Sequence, residues 1–208
     1  MKRSDKIRFI SDTLDELFPD PPIPLDYTSP FTLLVAVVLS AQCTDIRVNQ
    51  VTKVLYKKAK TPAAMVKLGV EHIAEIIKPC GFFNTKSKNI YNLSKTLVEK
   101  YDGEVPRTFE ELEALPGVGH KTASVMMIHA FKVPAFPVDT HIHRLAKRWG
   151  LSSGLSVEQT EKDLKKIFPE NEWEKRHLQI ILFGRTYFKS LGHKPEKCPI
   201  CSIVGCKQ

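Results

Sequence analysis

From Ile7 to Phe168 the apolar residues recur at spacings of three and four, and no run alternates as a half-buried strand would. The stripe Ile7, Ile10, Leu14 and Leu17 predicts a first amphipathic helix, and the PDPPIP segment at 19–24 ends it. Phe31 to Leu39 (FTLLVAVVL) reads as a buried core helix, well short of the ~18 apolar residues of a membrane span. An amphipathic helix follows from about Thr44, carrying Val48, Val51, Val54 and Leu55. Thr61-Pro62 reads as an N-cap with proline at the first helical position, and Ser156-x-x-Gln159 as a capping box. Further helices are expected over 62–68, 71–77, 86–100, 108–114, 121–131 and 140–149, and one starts near Glu172. The expected fold class is all-α, about ten helices in two lobes around a central cleft. Pro134 and Pro137 stiffen the segment after Phe131 into a crossing point. One lobe is therefore placed at 22–132, and the other at 1–21 plus 133–208.

Charge narrows the partner. The chain carries 31 lysines and arginines against 23 acidic residues, a formal charge of +8. That excess favours a polyanion, nucleic acid first and an acidic membrane surface second. MKRSDKIRF at the start has no apolar run behind it, so no secretory signal is expected. Five cysteines, an odd number, point to a reducing compartment rather than a disulfide framework. A bacterial-type cytoplasmic monomer, close to DNA and without a membrane partner, is the expectation.

The chemistry concentrates between Leu115 and Trp149. Leu115-Pro116-Gly117-Val118-Gly119 turns between two predicted helices. Glycine suits such a turn where φ becomes positive and where a DNA backbone must approach without a Cβ in the way. The helix behind it offers unpaired N–H groups and a positive dipole end to phosphate. Lys121 rides at the start of that helix, where the dipole and a low-dielectric cleft would disfavour its protonated form. A neutral amine can attack a sugar carbon and form a Schiff base. Asp139 opens the next helix, where it can serve as an N-cap, stabilise an oxocarbenium-like transition state, or both.

LPGVGHKTA followed by PVDTHIHR resembles the helix–hairpin–helix, Gly/Pro-rich loop and aspartate signature of the endonuclease III family of DNA glycosylases. LSAQCTD at 39–45 and GFFNTKSKNI at 81–90 resemble two further family segments, and the likeness runs from about Pro30 to Gly184. The resemblance implies an all-α, two-lobed fold. It also implies that Lys121 is the nucleophile, that Asp139 assists it, and that the enzyme excises a base and then nicks the strand. The implied substrates are duplex DNA with oxidised or ring-saturated pyrimidines, or abasic sites. Gln42 and Phe82 match the family's gap-filling glutamine and apolar wedge, and His141 matches a residue near the estranged strand or lesion. Taken alone, Phe82 reads equally as core, and Asp45 as a helix cap. Leu115, Gly117 and Gly119 would meet the DNA backbone, with Lys86, Lys88, Arg144 and Lys147 adding phosphate contacts.

The tail departs from the pattern. The family commonly ends in C-x6-C-x2-C-x5-C around a [4Fe–4S] cluster, whereas KCPICSIVGC supplies Cys198, Cys201 and Cys206. The first ligand position falls on Leu191 counting back from Cys198, or on Phe188 counting from Gly184-Arg185. His193 would complete a Cys3His set, which leaves a zinc-type site, an atypical iron–sulfur site, or no metal. A shifted base preference, such as mismatched thymine or uracil, is the near alternative. A catalytically silent helix–hairpin–helix binding module is the distant one, and the presence of both Lys121 and Asp139 argues against it.

Overall fold

The structure, a computed structural model, describes residues 1–188 and 193–205. Its described elements are helical throughout: α1 (Arg3–Leu17), α2 (Pro30–Ser40), α3 (Asp45–Lys58), α4 (Pro62–Leu68), α5 (Val70–Ile77), α6 (Phe83–Lys100), α7 (Phe109–Glu113), α8 (His120–Val125), α9 (Thr140–Arg148), α10 (Val157–Ile167), α11 (Trp173–Thr186) and α12 (Cys201–Val204). None of them is long and apolar enough to cross a membrane. The chain divides into two compact units, Ile23–Val133 and Met1–Pro22 with Pro134–Gln208.

The first unit is built on α2, whose residues Phe31 to Leu39 are all buried. Such a helix is apolar all round because neighbours cover every face. Pro30 opens it, and Ser29 and Thr32 form a reciprocal capping box that satisfies its first N–H groups. The predicted Thr61 cap is present too, accepting the Ala64 N–H. α8 does not run on as α-helix: Met126–Ala130 widens into a π-helical turn, a form enriched at functional sites.

The second unit packs α1, α9, α10 and α11 around Leu14, Phe136, Ile142, Trp149 and Phe183. Trp149 and Phe183 meet edge to face at 5.2 Å, a geometry that adds to their burial. Arg176 on α11 is buried and donates to Asp15 at 2.9 Å, to Glu172 at 2.9 Å and to Gln179 at 2.9 Å. The Ser156 box is only half made. Ser156 accepts the Gln159 N–H, but the Gln159 amide turns away to Asp163 at 2.7 Å.

Candidate active site

The hairpin between α7 and α8 is held from several sides. Thr108 caps α7, taking the Glu111 N–H at 3.3 Å and donating to the Glu111 carboxylate at 2.6 Å. His120 bonds Glu113 at 2.7 Å and stacks on Phe109 with ring centres 5.5 Å apart, tying α8 back to α7. The two hairpin glycines have different reasons for being glycine. Gly117 has φ +79°, and a Cβ there would lie 2.7 Å from the Asn89 amide nitrogen. Gly119 has φ −103° and open space where its Cβ would go. It precedes α8 in extended conformation, and no side chain caps the helix. Lys121 is the second residue of α8 and is half-buried.

Leu115 departs from the expectation of a DNA contact. Its side chain is buried, its N–H donates to Leu112 and its carbonyl accepts from Val118 at 3.1 Å, so it anchors the turn from below. Asp139 caps α9: its Oδ1 accepts the Ile142 N–H at 2.8 Å, which fixes the carboxylate at the head of that helix. His141, one turn-face along, approaches the Arg144 guanidinium at 3.3 Å and packs over Gly184 of α11. Arg144 itself donates to the Phe188 carbonyl, and its guanidinium lies 5.2 Å from the Phe188 ring centre. Lys147 stays exposed.

Beside Asp102 and Lys132, Gln42 and Phe82 are two of the four non-glycine residues of the first unit with positive φ. Both are exposed, Phe82 to 67%, and both adopt left-handed conformations, with φ of 53° and 45°. The core reading of Phe82 is thereby overturned, since a core phenylalanine is not two-thirds in solvent. Asp45 does not cap α3; Thr44 does, accepting the Arg47 N–H at 3.4 Å. Lys88 is exposed on α6, as a phosphate contact requires. Lys86 is not available for phosphate. It is only 6% exposed, and its Nζ donates to the carbonyls of Leu39 (2.9 Å), Ala41 (2.8 Å) and Cys80 (3.1 Å). An ammonium has three N–H groups, and all three are used. A signal for this was in the sequence: Lys86, Ile90, Leu93 and Leu97 share one buried stripe of α6.

Cys43 and Cys80 are free thiols hydrogen-bonded to one another beneath the Gln42 loop. Burial, then Cys43, pushes the Cys80 thiol up to about 12, so it stays protonated and unreactive. The tail behaves oppositely. His193, Cys198 and Cys201 bring their ligand atoms within 4.8 Å of one another. A hydrogen bond from Cys201, working against burial, draws the Cys198 thiol down to about 6, with help from the Cys201 and Ile200 amides and the field of His193. Cys206, the other expected ligand, and Leu191 lie outside the described residues. Phe188 is buried, and its ring centre lies 3.9 Å from that of His193. The alternative position for the family's first cysteine therefore holds an apolar side chain. Among the described residues the donor set does not fit a four-thiolate cluster.

Residues 35–170 match the family described as HhH-GPD superfamily base excision DNA repair protein. The chain is 43% identical to endonuclease III of Bacillus subtilis (strain 168) over 95% of its own length and 91% of that protein. It is equally 43% identical to endonuclease III of Escherichia coli (strain K12), over 98% and 94%. Its fold superposes with a TM-score of 0.92 on a trapped endonuclease III–DNA covalent intermediate, an estranged-adenine complex, covering 100% of this chain and 97% of that one at 43% identity. The likeness thus spans the hairpin, the aspartate loop and the Gln42 and Phe82 segments alike, and the chain belongs to the endonuclease III family of HhH-GPD base excision DNA repair proteins.

Proposed function

We propose that this chain is a base-excision DNA glycosylase and abasic-site lyase that removes oxidised or ring-saturated pyrimidines from duplex DNA through a Schiff base on Lys121. The observation that carries this reading is a lysine at the head of the helix after a Gly-x-Gly hairpin, in a fold that matches an endonuclease III trapped covalently on DNA. The hairpin binds backbone phosphate through the N–H groups at the start of α8, with Gly119 admitting close approach. Gln42 and Phe82 enter the space left by the extruded nucleotide, whose unstacking costs a few kcal/mol. His141 and exposed cations such as Lys88 contact the strand nearby.

The Lys121 amine attacks C1′ of the deoxyribose, and the glycosidic bond breaks with its electron pair leaving on the base. The C1′–O4′ bond then opens, its oxygen taking up a proton as the nitrogen loses one, and the resulting imine acidifies a C2′ proton. Loss of that proton expels the 3′ phosphate by β-elimination, and water then hydrolyses the imine to free the lysine. Asp139, held by its cap, places negative charge where the sugar becomes oxocarbenium-like. Single-turnover excision from a panel of duplexes tests the substrate class. Ring-saturated or oxidised pyrimidines should be released much faster than mismatched thymine or uracil, and the reverse order would overturn the assignment.

In the tail, the His193, Cys198 and Cys201 atoms suit a single tetrahedral ion, whose ligands sit ~2.0–2.3 Å from the metal and hence close together. The His193 Nδ1 lies 3.2 Å from the Tyr187 carbonyl, the kind of contact that turns the other ring nitrogen toward a metal. A structural zinc-type site, rather than a four-iron cluster, is the reading this favours. Purified protein should hold zinc near one equivalent and no acid-labile sulfide; four irons per chain would contradict it.

A further inference from the structure

Two exposed tips, Gln42 and Phe82, carry left-handed backbones that non-glycine residues adopt at a cost. Such conformations persist only where the surroundings over-determine them. Beneath both tips lies one charged group. The Lys86 ammonium binds the Leu39 and Ala41 carbonyls leading into Gln42 and the Cys80 carbonyl leading into Phe82. The Lys86 N–H also donates to the Phe82 carbonyl at 3.0 Å, so this residue grips the Phe82 turn from both ends. Arg47 adds a link from α3 to the Pro79 carbonyl at 3.3 Å, and the Cys43 and Cys80 thiols meet between the loops. A cation buried here is tolerated because every N–H has an acceptor. A hydrophobic residue would fill the space equally well but would leave three carbonyls unsatisfied and the two loops unconnected.

We infer that Lys86 is a positioning residue: its buried ammonium fastens the two tips to each other and sets the separation at which Gln42 and Phe82 enter the duplex. The inference rests on the reading of those tips as gap-filling. It assigns Lys86 no contact with DNA and no part in the covalent chemistry. Its effect belongs to lesion recognition in duplex DNA and is absent where no gap needs filling.

The test compares wild type with Lys86→Met, and with Lys86→Gln, whose amide offers fewer donors and no charge, should the methionine variant not fold. Amide exchange is measured in the free protein, followed by binding to an abasic-analogue duplex and to the undamaged duplex, and by borohydride trapping on a single-stranded abasic oligonucleotide. With three carbonyls losing their donor, the ratio of lesion to undamaged affinity should fall by roughly tenfold or more. Exchange should quicken at residues 40–44 and 80–84 while α11 amides keep their rates, and single-strand trapping should stay within about twofold. In a Gln42→Ala/Phe82→Ala background the same Lys86 change should cost little further discrimination, because its effect passes through the tips. Unchanged exchange in both loops would overturn the fastening role. An equal loss in single-strand trapping would show general destabilisation and overturn it as well. If Phe82→Ala and Gln42→Ala themselves leave discrimination intact while exchange still quickens, the gap-filling reading fails first, and this inference falls with it.

Discussion

Gly117 and Gly119 sit two residues apart, yet one is required by the fold and the other is open to a ligand. Gly117 needs its positive φ, and Asn89 fills the space where a Cβ would go. Gly117→Ala should therefore lower stability by about 1–3 kcal/mol, read as a fall in Tm. Gly119 has an ordinary φ and an empty neighbourhood. Gly119→Ala should leave Tm within a degree or two and weaken duplex binding; unchanged binding would remove the hairpin from the DNA contact. The cap made by Asp139 and its proposed part in base release can be separated in a comparable way. Asparagine caps a helix as well as aspartate does, so Asp139→Asn should keep the Ile142 bond and the stability while slowing base release by orders of magnitude. A variant with near-normal single-turnover excision would reduce Asp139 to a cap.

At the scale of elements, α6 gathers much of the site. Phe82 precedes it in a left-handed turn, Lys86 points inward one turn later, and Asn89 supports the hairpin glycine. Phe82 buries little, so Phe82→Ala should barely change Tm but should weaken discrimination of an abasic analogue from plain duplex more than it weakens nonspecific affinity. Equal losses on both duplexes would count against a wedge. α6, expected from residue 86, begins at Phe83 with no capping side chain to mark it, but other helix starts are legible from their punctuation. Ser29-Pro30, Thr61-Pro62, Thr108 and Asp139 all mark helix starts where local hydrogen bonding alone decides the matter. Less legible was everything decided by tertiary contact. Spacing places a lysine on a helix face but does not say that three carbonyls from elsewhere will meet it there, and so Lys86 reads as a phosphate ligand until the Leu39, Ala41 and Cys80 carbonyls are seen. Leu115 reads as a DNA contact because it stands inside the hairpin motif, although its own side chain serves the core. Left-handed backbones at Gln42 and Phe82 carry no glycine or asparagine to announce them.

For the whole molecule, stability and DNA affinity respond to different charges. Burial opposes ionisation of Asp15, but Arg176, Lys175 and Gln179 outweigh it and hold its carboxyl well below the usual carboxylate range. A depressed carboxylate stabilises the fold above its unfolded pKa, near 3.8, and that stability is lost as pH falls through the folded value. Asp15→Asn should therefore lower Tm at neutral pH, with the gap from wild type closing below about pH 4. Binding to duplex depends instead on the +8 excess and should weaken steeply as salt rises. Neither charge effect identifies the chemistry. Borohydride trapping on a duplex with one abasic site does so most directly. The account predicts a covalent protein–DNA adduct with the wild-type chain and none with Lys121→Ala, which should still bind the duplex. A Lys121→Ala protein that traps and nicks at the wild-type rate would contradict it.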